Sequence, residues 1–125
     1  MEPLKISEGE YRLACIVWDH EPVPSGRLVE LAGERLGWKK STTYTVLKKL
    51  VERGVLNNEN ATVTALVPRE DILREESRSL VERTFGGSLP SFLTSFMSGR
   101  TLSDAEADEL KALIDRYREG GEHNG

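Results

Sequence analysis

The chain contains a single cysteine, Cys15, in 125 residues. An intramolecular disulfide is therefore excluded, and one sulfur cannot build a thiolate metal site, which fits a reducing cytoplasm. Histidine is almost as scarce, with His20 in a proline-containing break and His123 close to the C-terminus. His20 between two acids is a poor metal site, and neither histidine is paired by spacing with a nucleophile. No glycine-rich phosphate loop is present. Long apolar runs are missing too, and the N-terminus carries Glu2 and Lys5, so neither a membrane span nor a signal peptide is expected. These absences predict a cytoplasmic protein that is not an enzyme and has no cofactor and no metal.

Positive charge is also in short supply, and its distribution is informative. The formal net charge is −4, yet the stretch from Lys39 to Arg53 is positive. It holds Lys39, Lys40, Lys48, Lys49 and Arg53 against Glu52 alone. The segments on either side are all negative. A duplex responds to the local field rather than to the total.

This stretch has the pattern of a helix over about 41–53. Ser41 is a candidate N-cap, and Thr43, Val46, Leu47 and Leu50 recur on one face. Gly54 follows as a stop signal. The opposite face carries Thr42, Thr45, Lys48, Lys49 and Glu52. Short hydroxyls beside long cations suit a major groove, the hydroxyls reaching base edges and the cations reaching phosphates. A basic amphipathic helix is more often only a solvated one, so its neighbours decide.

Ser7 and Glu10 have capping-box spacing, and Tyr11, Ala14, Cys15 and Trp18 follow as a buried stripe of a first helix. On that stripe Cys15 reads as a small core residue. Residues 19–24, with Pro22 and Pro24, are expected to break the chain. Ser25 is expected to cap a second helix to about Leu36, ended by Gly37. Trp38 is expected in the core between the second and third helices, whose short glycine-containing link is the helix-turn-helix signature. After Gly54 the period changes to two: Asn57–Asn60 reads as a turn, and Thr62–Val67 as a strand closed by Pro68. Three helices and a hairpin make a winged helix.

Beyond Pro68 three further helical segments are expected. Ile72, Leu73, Leu80, Val81 and Phe85 mark the first, and Leu89, Phe92, Leu93, Phe96 and Met97 the second. Ser103 and Glu106 open the third, along which Leu110, Leu113, Ile114 and Tyr117 form a stripe. So few residues do not build a core alone, so these stripes are expected to bury against a second copy. The phenylalanines and Met97 read as part of that surface rather than as a ligand pocket. Residues 120–125 are expected as a frayed tail.

The chain resembles the penicillinase-repressor family (BlaI/MecI type) over nearly its whole length. The resemblance is carried by Ile6-Ser7-Glu8, Glu10 and Trp18, then Trp38, Thr42, Thr45, Leu47, Leu50, Gly54 and Leu56. It continues through Pro68, Phe85-Gly86-Gly87-Ser88-Leu89, Phe96, Leu102-Ser103, Glu106 and Leu110. It implies a dimeric repressor whose winged helix binds a palindromic operator and whose C-terminal helices dimerise. It implies operator contacts at Thr42 and Thr45, with Lys49 where an arginine is usual. It further implies release by a sensor-protease system that cuts an asparagine–phenylalanine bond; the matching bond here is Ser95–Phe96, with serine in place of asparagine. Ser41 replaces a usual lysine, and Asn60-Ala61 replaces a Gly-Arg wing tip. The copper-sensing branch uses paired cysteines near its C-terminus, which this chain lacks.

The expectation is a mainly α protein with a small β-wing: a winged helix-turn-helix DNA-binding domain over 1–68, then a helical dimerisation region over 69–125. Its expected function is sequence-specific repression as a homodimer on an operator duplex. The DNA-binding residues are Lys39, Lys40, Ser41, Thr42, Tyr44, Thr45, Lys48 and Lys49. The dimerisation residues are Leu80, Phe85, Phe92, Phe96, Leu110, Leu113, Ile114 and Tyr117. Because no basic residue lies between Gly54 and Pro68, the alternative is a winged helix that binds a protein partner instead.

Overall fold

A computed structural model describes residues 5–120. His123 and all of the expected tail except Gly120 lie outside the described residues. Six helices and three short strands follow in the order α1 (Glu8–His20), β1 (Val23–Pro24), α2 (Ser25–Leu36), α3 (Lys40–Glu52), β2 (Leu56–Glu59), β3 (Thr62–Ala65), α4 (Arg69–Phe85), α5 (Leu89–Met97) and α6 (Asp104–Arg118). The protein is mainly α with a three-stranded antiparallel sheet in the order β1-β3-β2. No described helix is long and apolar enough to cross a membrane.

The capping box at α1 is complete. Glu10 N–H donates to Ser7 Oγ at 3.1 Å, and Ser7 N–H donates to the Glu10 carboxylate at 2.7 Å. The buried line of α1 is Glu10, Leu13, Ala14, Ile16 and Val17. Cys15 is only half-buried, which corrects its place on the core stripe. It lies instead on the flank with Tyr11 and Trp18, whose rings tilt against each other at 5.8 Å. Both aromatics keep polar tips that must be satisfied. Trp18 Nε1 donates to Val67 O at 2.9 Å, and Arg69 lies 5.3 Å over the Trp18 ring. Burial and a hydrogen bond with Cys15 push the Tyr11 phenol above its ordinary range.

The break after α1 is shorter than residues 19–24. The helix continues to His20, and Val23–Pro24 pairs with Val63 and Thr62 as an edge strand, a position that tolerates proline. Ser25 is the first residue of α2 rather than its cap; Pro24 holds the cap position without a side-chain bond. Gly37 ends α2 with φ +71°, the left-handed conformation glycine favours. Trp38 is half-buried, and its ring comes within 3.6 Å of a Cβ built at Gly9. It therefore closes the core over the start of α1 as well as beside α2 and α3.

In the wing, the turn is narrower than Asn57–Asn60. Asn57, Asn58 and Glu59 are strand residues, paired in register as Asn57↔Thr64, Asn58↔Val63 and Glu59↔Thr62. The turn is Asn60-Ala61 alone, with φ +54° and +57°, a two-residue hairpin of type I′. β3 ends at Ala65 rather than Val67.

The core joins Leu13, Val17, Leu28, Leu31, Leu47, Leu50, Leu56, Val63 and Ile72. Ile72 belongs to α4, so the first turns of that helix complete the winged-helix core. The compact units part between Gly87 and Ser88. In the second unit Ser88 and Ser103 cap α5 and α6 through the N–H groups of Ser91 and Glu106, each at 3.1 Å. Neither helix contains a fully buried residue.

Candidate nucleic-acid interface

Helix α3 begins one residue earlier than its sequence pattern suggests. Lys39 holds the cap position, no side chain caps it, and Ser41 is inside the helix. Thr43, Leu47 and Leu50 are buried, and Thr43 Oγ1 donates to Lys39 O at 3.1 Å. This face seats α3 against α1, α2 and β2. Lys39, Lys40, Ser41, Thr42, Tyr44, Thr45, Lys48 and Lys49 are all exposed on the remaining surface. Every DNA-binding residue read from the sequence is thus on solvent-facing α3 or at its cap.

Within that surface the side chains differ in freedom. Thr45 Oγ1 donates to Ser41 O at 2.9 Å, so its hydroxyl has lone pairs and a neighbouring methyl to offer a base edge, but not its proton. The Tyr44 hydroxyl points toward Ser25 Oγ at 3.5 Å, a weak bond by geometry, which draws the ring toward the start of α2. None of the four lysines has an ion-pair partner among the described residues. Arg53 does: it lies 3.7 Å from the Glu10 carboxylate and donates to Lys5 O. The basic stretch therefore offers a duplex four free cations rather than five.

Helix ends add to the field. The first turns of α1, α4 and α6 carry acids: Glu8 and Glu10, Glu70 and Asp71, and Asp104 and Glu106. The first turns of α2, α3 and α5 carry none. Their N-terminal partial charge, worth about half a unit each, is left uncompensated, the two helices of the helix-turn-helix included. This signal was in the sequence, but α5 shares it, so it adds to the lysine pattern of α3 without replacing it.

The wing contributes no cation. Asn58, Glu59, Asn60 and Ala61 are exposed at its tip. Instead the wing is tied to the body at both ends of β3: Ser25 N–H donates to Ala61 O at 2.8 Å by the tip, and Ala65 N–H donates to the Glu21 carboxylate at 2.8 Å at the base. Neither tie has a local sequence signal, since the partners lie far apart in the chain. His20 Nδ1 meets Ile16 O at 2.9 Å, so that ring is engaged within its own helix.

The residues assigned to dimerisation fall on three helices. Leu80 and Phe85 lie on α4, the former exposed and the latter half-buried. On α5, Phe92 is half-buried, and its ring stacks on Phe96 at 5.9 Å. Phe96 is 53% exposed beneath Arg100, whose guanidinium lies 4.6 Å over its ring. Ser95 precedes it, exposed, inside α5. On α6, Leu110 is half-buried, while Leu113, Ile114 and Tyr117 are exposed in one stripe.

A family model described as "Penicillinase repressor" matches residues 6–116. The chain is 23% identical over 118 residues to the penicillinase repressor of Bacillus licheniformis, covering 91% of this chain and 92% of that protein. It is 22% identical over 116 residues to the methicillin resistance regulatory protein MecI of Staphylococcus epidermidis, covering 90% and 94%. Among solved structures, that of monomeric Bacillus licheniformis BlaI in complex with the blaP half-operator aligns with a TM-score of 0.47 and 23% identity, covering 53% of this chain and 85% of that one.

Proposed function

Since the chain belongs to the penicillinase repressor family, we propose that it is a cytoplasmic DNA-binding repressor that reads a palindromic operator as a homodimer. The family is one of transcriptional repressors, not enzymes. The observation that carries the reading is α3: an acid-free first turn and four lysines without ion-pair partners among the described residues, on the helix face that carries Thr42 and Thr45. In this reading Lys39, Lys40, Lys48 and Lys49 hold phosphates and set register. Ser41, Thr42 and Thr45 face base edges, with Tyr44 at the margin beside α2.

A single α3 spans only a few base pairs. Two copies related by a two-fold axis place two such helices in major grooves about one turn apart, or a multiple of it. Tethering makes the second contact intramolecular and raises affinity without new contacts. The second unit supports this use, since α5 and α6 have apolar stripes and bury no residue fully. In this reading the DNA-binding part covers 1–68 and the dimerising part 69–125, although α4 lends Ile72 to the winged-helix core. A cut at Ser95–Phe96 by a sensor-protease system would divide α5 and separate the operator-bound halves.

Footprinting on the DNA immediately upstream of the chain's own gene tests the reading. A protected palindrome is the expected result. An unprotected region together with a stoichiometric protein partner would assign the winged helix to protein recognition instead.

A further inference from the structure

Glu10 is the most deeply buried ionisable side chain among the described residues, at 5% exposure. The N3 carboxylate of a capping box ordinarily sits in solvent, where its one task is to accept from the cap's N–H. Glu10 does accept from Ser7 N–H at 2.7 Å. One hydrogen bond does not offset the desolvation of a carboxylate, which asks for a cation as well. That cation comes from the far side of the helix-turn-helix: Arg53, the residue that ends α3, lies 3.7 Å away. Its guanidinium also donates to Lys5 O. Ser7, Glu10, Lys49, Glu52 and Arg53 together line a surface pocket of about 450 Å³.

We infer that Glu10 and Arg53 are positioning residues for operator binding: their ion pair sets the C-terminal end of α3 against α1 and withholds Arg53 from the phosphates. The inference rests on the proposed DNA-binding function. Lys48 and Lys49 lie one turn before Arg53, on the end of α3 that the pair anchors. Arg53 N–H donates to Lys49 O, and Val55 N–H to Leu50 O, both at 3.0 Å, so that turn depends on where Arg53 is held. Burial of α3's apolar face restrains the helix across its axis. The Glu10–Arg53 pair restrains its far end, and Lys5 O adds a second point of attachment.

A phosphate-binding arginine and a positioning arginine leave different signatures. Each phosphate contact contributes about −0.9 to the slope of log affinity against log salt. Arg53→Gln is therefore expected to lower operator affinity roughly tenfold while leaving the salt slope at the wild-type value. Glu10→Gln keeps an acceptor for Ser7 N–H but frees Arg53. It is expected to steepen the slope by about one contact and to lower the ratio of operator to scrambled-duplex affinity. The double variant is expected to lose less than the sum of the two, because neither charge is then left alone. Arg53→Lys is expected to restore operator affinity to near wild type.

The probes are a duplex from the chain's own upstream region and a scrambled duplex of equal length, with the full-length protein and each variant's thermal transition recorded. Glu10→Gln, which breaks the same pair from the other side, serves where Arg53→Gln does not fold. Amide exchange in the last turn of α3 is measured without DNA and is expected to accelerate in Glu10→Gln. A flattened salt slope in Arg53→Gln, additive losses in the double variant, or unchanged exchange would each overturn the assignment. If wild-type protein binds both duplexes equally while exchange still accelerates in Glu10→Gln, the positioning pair stands and the operator reading fails.

Discussion

The backbone N–H of Ser25 donates to the carbonyl of Ala61 at 2.8 Å, joining the first residue of α2 to the tip of the wing. A wing without cations is thereby tied to the helix-turn-helix. The tie has a cost on the wing side. Ala61 adopts φ +57°, where a Cβ crowds the following carbonyl by about 1–2 kcal/mol.

Ala61→Gly should therefore stabilise the protein. Relief of the left-handed strain is partly offset by the greater freedom of glycine in the unfolded chain, leaving about 0.5–1 kcal/mol. The thermal transition should rise by roughly 2–6 °C, while operator affinity stays unchanged because the substitution removes no contact to phosphate. A lower transition would show that the turn has a different backbone.

Lys48→Ala and Lys49→Ala should each weaken duplex binding and reduce the salt slope by about one contact. Both side chains are exposed and form no ion pair among the described residues, so neither substitution should move the thermal transition by more than about 0.5 kcal/mol equivalent. Titrations at several salt concentrations measure both quantities. Wild-type slopes in both variants would remove α3 from the interface.

The site was legible to the extent that it was local. Ser7 and Glu10 announce a capping box three residues apart, and Lys39, Lys40, Lys48 and Lys49 announce a basic face within one helix. The structure completes the capping box and leaves the four lysines exposed on α3 and at its cap. What could not be read depends on residues distant in sequence. Val23–Pro24 is too short and too proline-rich to signal a strand, and becomes one only because β3 lies beside it. Asn57 and Asn58 carry turn chemistry, yet pairing with Thr64 and Val63 draws them into β2. Cys15 sits between two overlapping apolar lines on α1, and periodicity alone cannot say which of them faces the core. Arg53 counts as a free cation until Glu10, far back in the chain, is seen beside it.

Truncation separates the two possible boundaries. A fragment ending at Pro68 loses Ile72, which is fully buried in the core, along with Arg69 over Trp18. Removing an aliphatic side chain from such a site costs about 2–5 kcal/mol. A fragment ending at Gly87 keeps both. The longer fragment should melt cooperatively and sediment as a monomer, and it should bind the operator more weakly than the full chain by a factor on the order of 100 or more. The shorter should be markedly less stable. Equal stability would mean that α4 adds nothing to the winged-helix core.

The dimer itself is tested on α6. Ile114 and Tyr117 are each 58% exposed and stand one turn apart on the face that also carries Leu113. A carboxylate at either position would be buried against apolar partners in a dimer, but fully solvated in a monomer. Ile114→Glu combined with Tyr117→Glu should therefore shift the sedimenting species from dimer to monomer. The winged helix should keep its thermal stability, since neither residue belongs to its core. Operator affinity should fall to that of the fragment ending at Gly87, because both lose the tether and retain α3. A double variant that still sediments as a dimer would place the interface on other residues. A variant that is monomeric yet binds with full affinity would show that a single copy suffices for the operator.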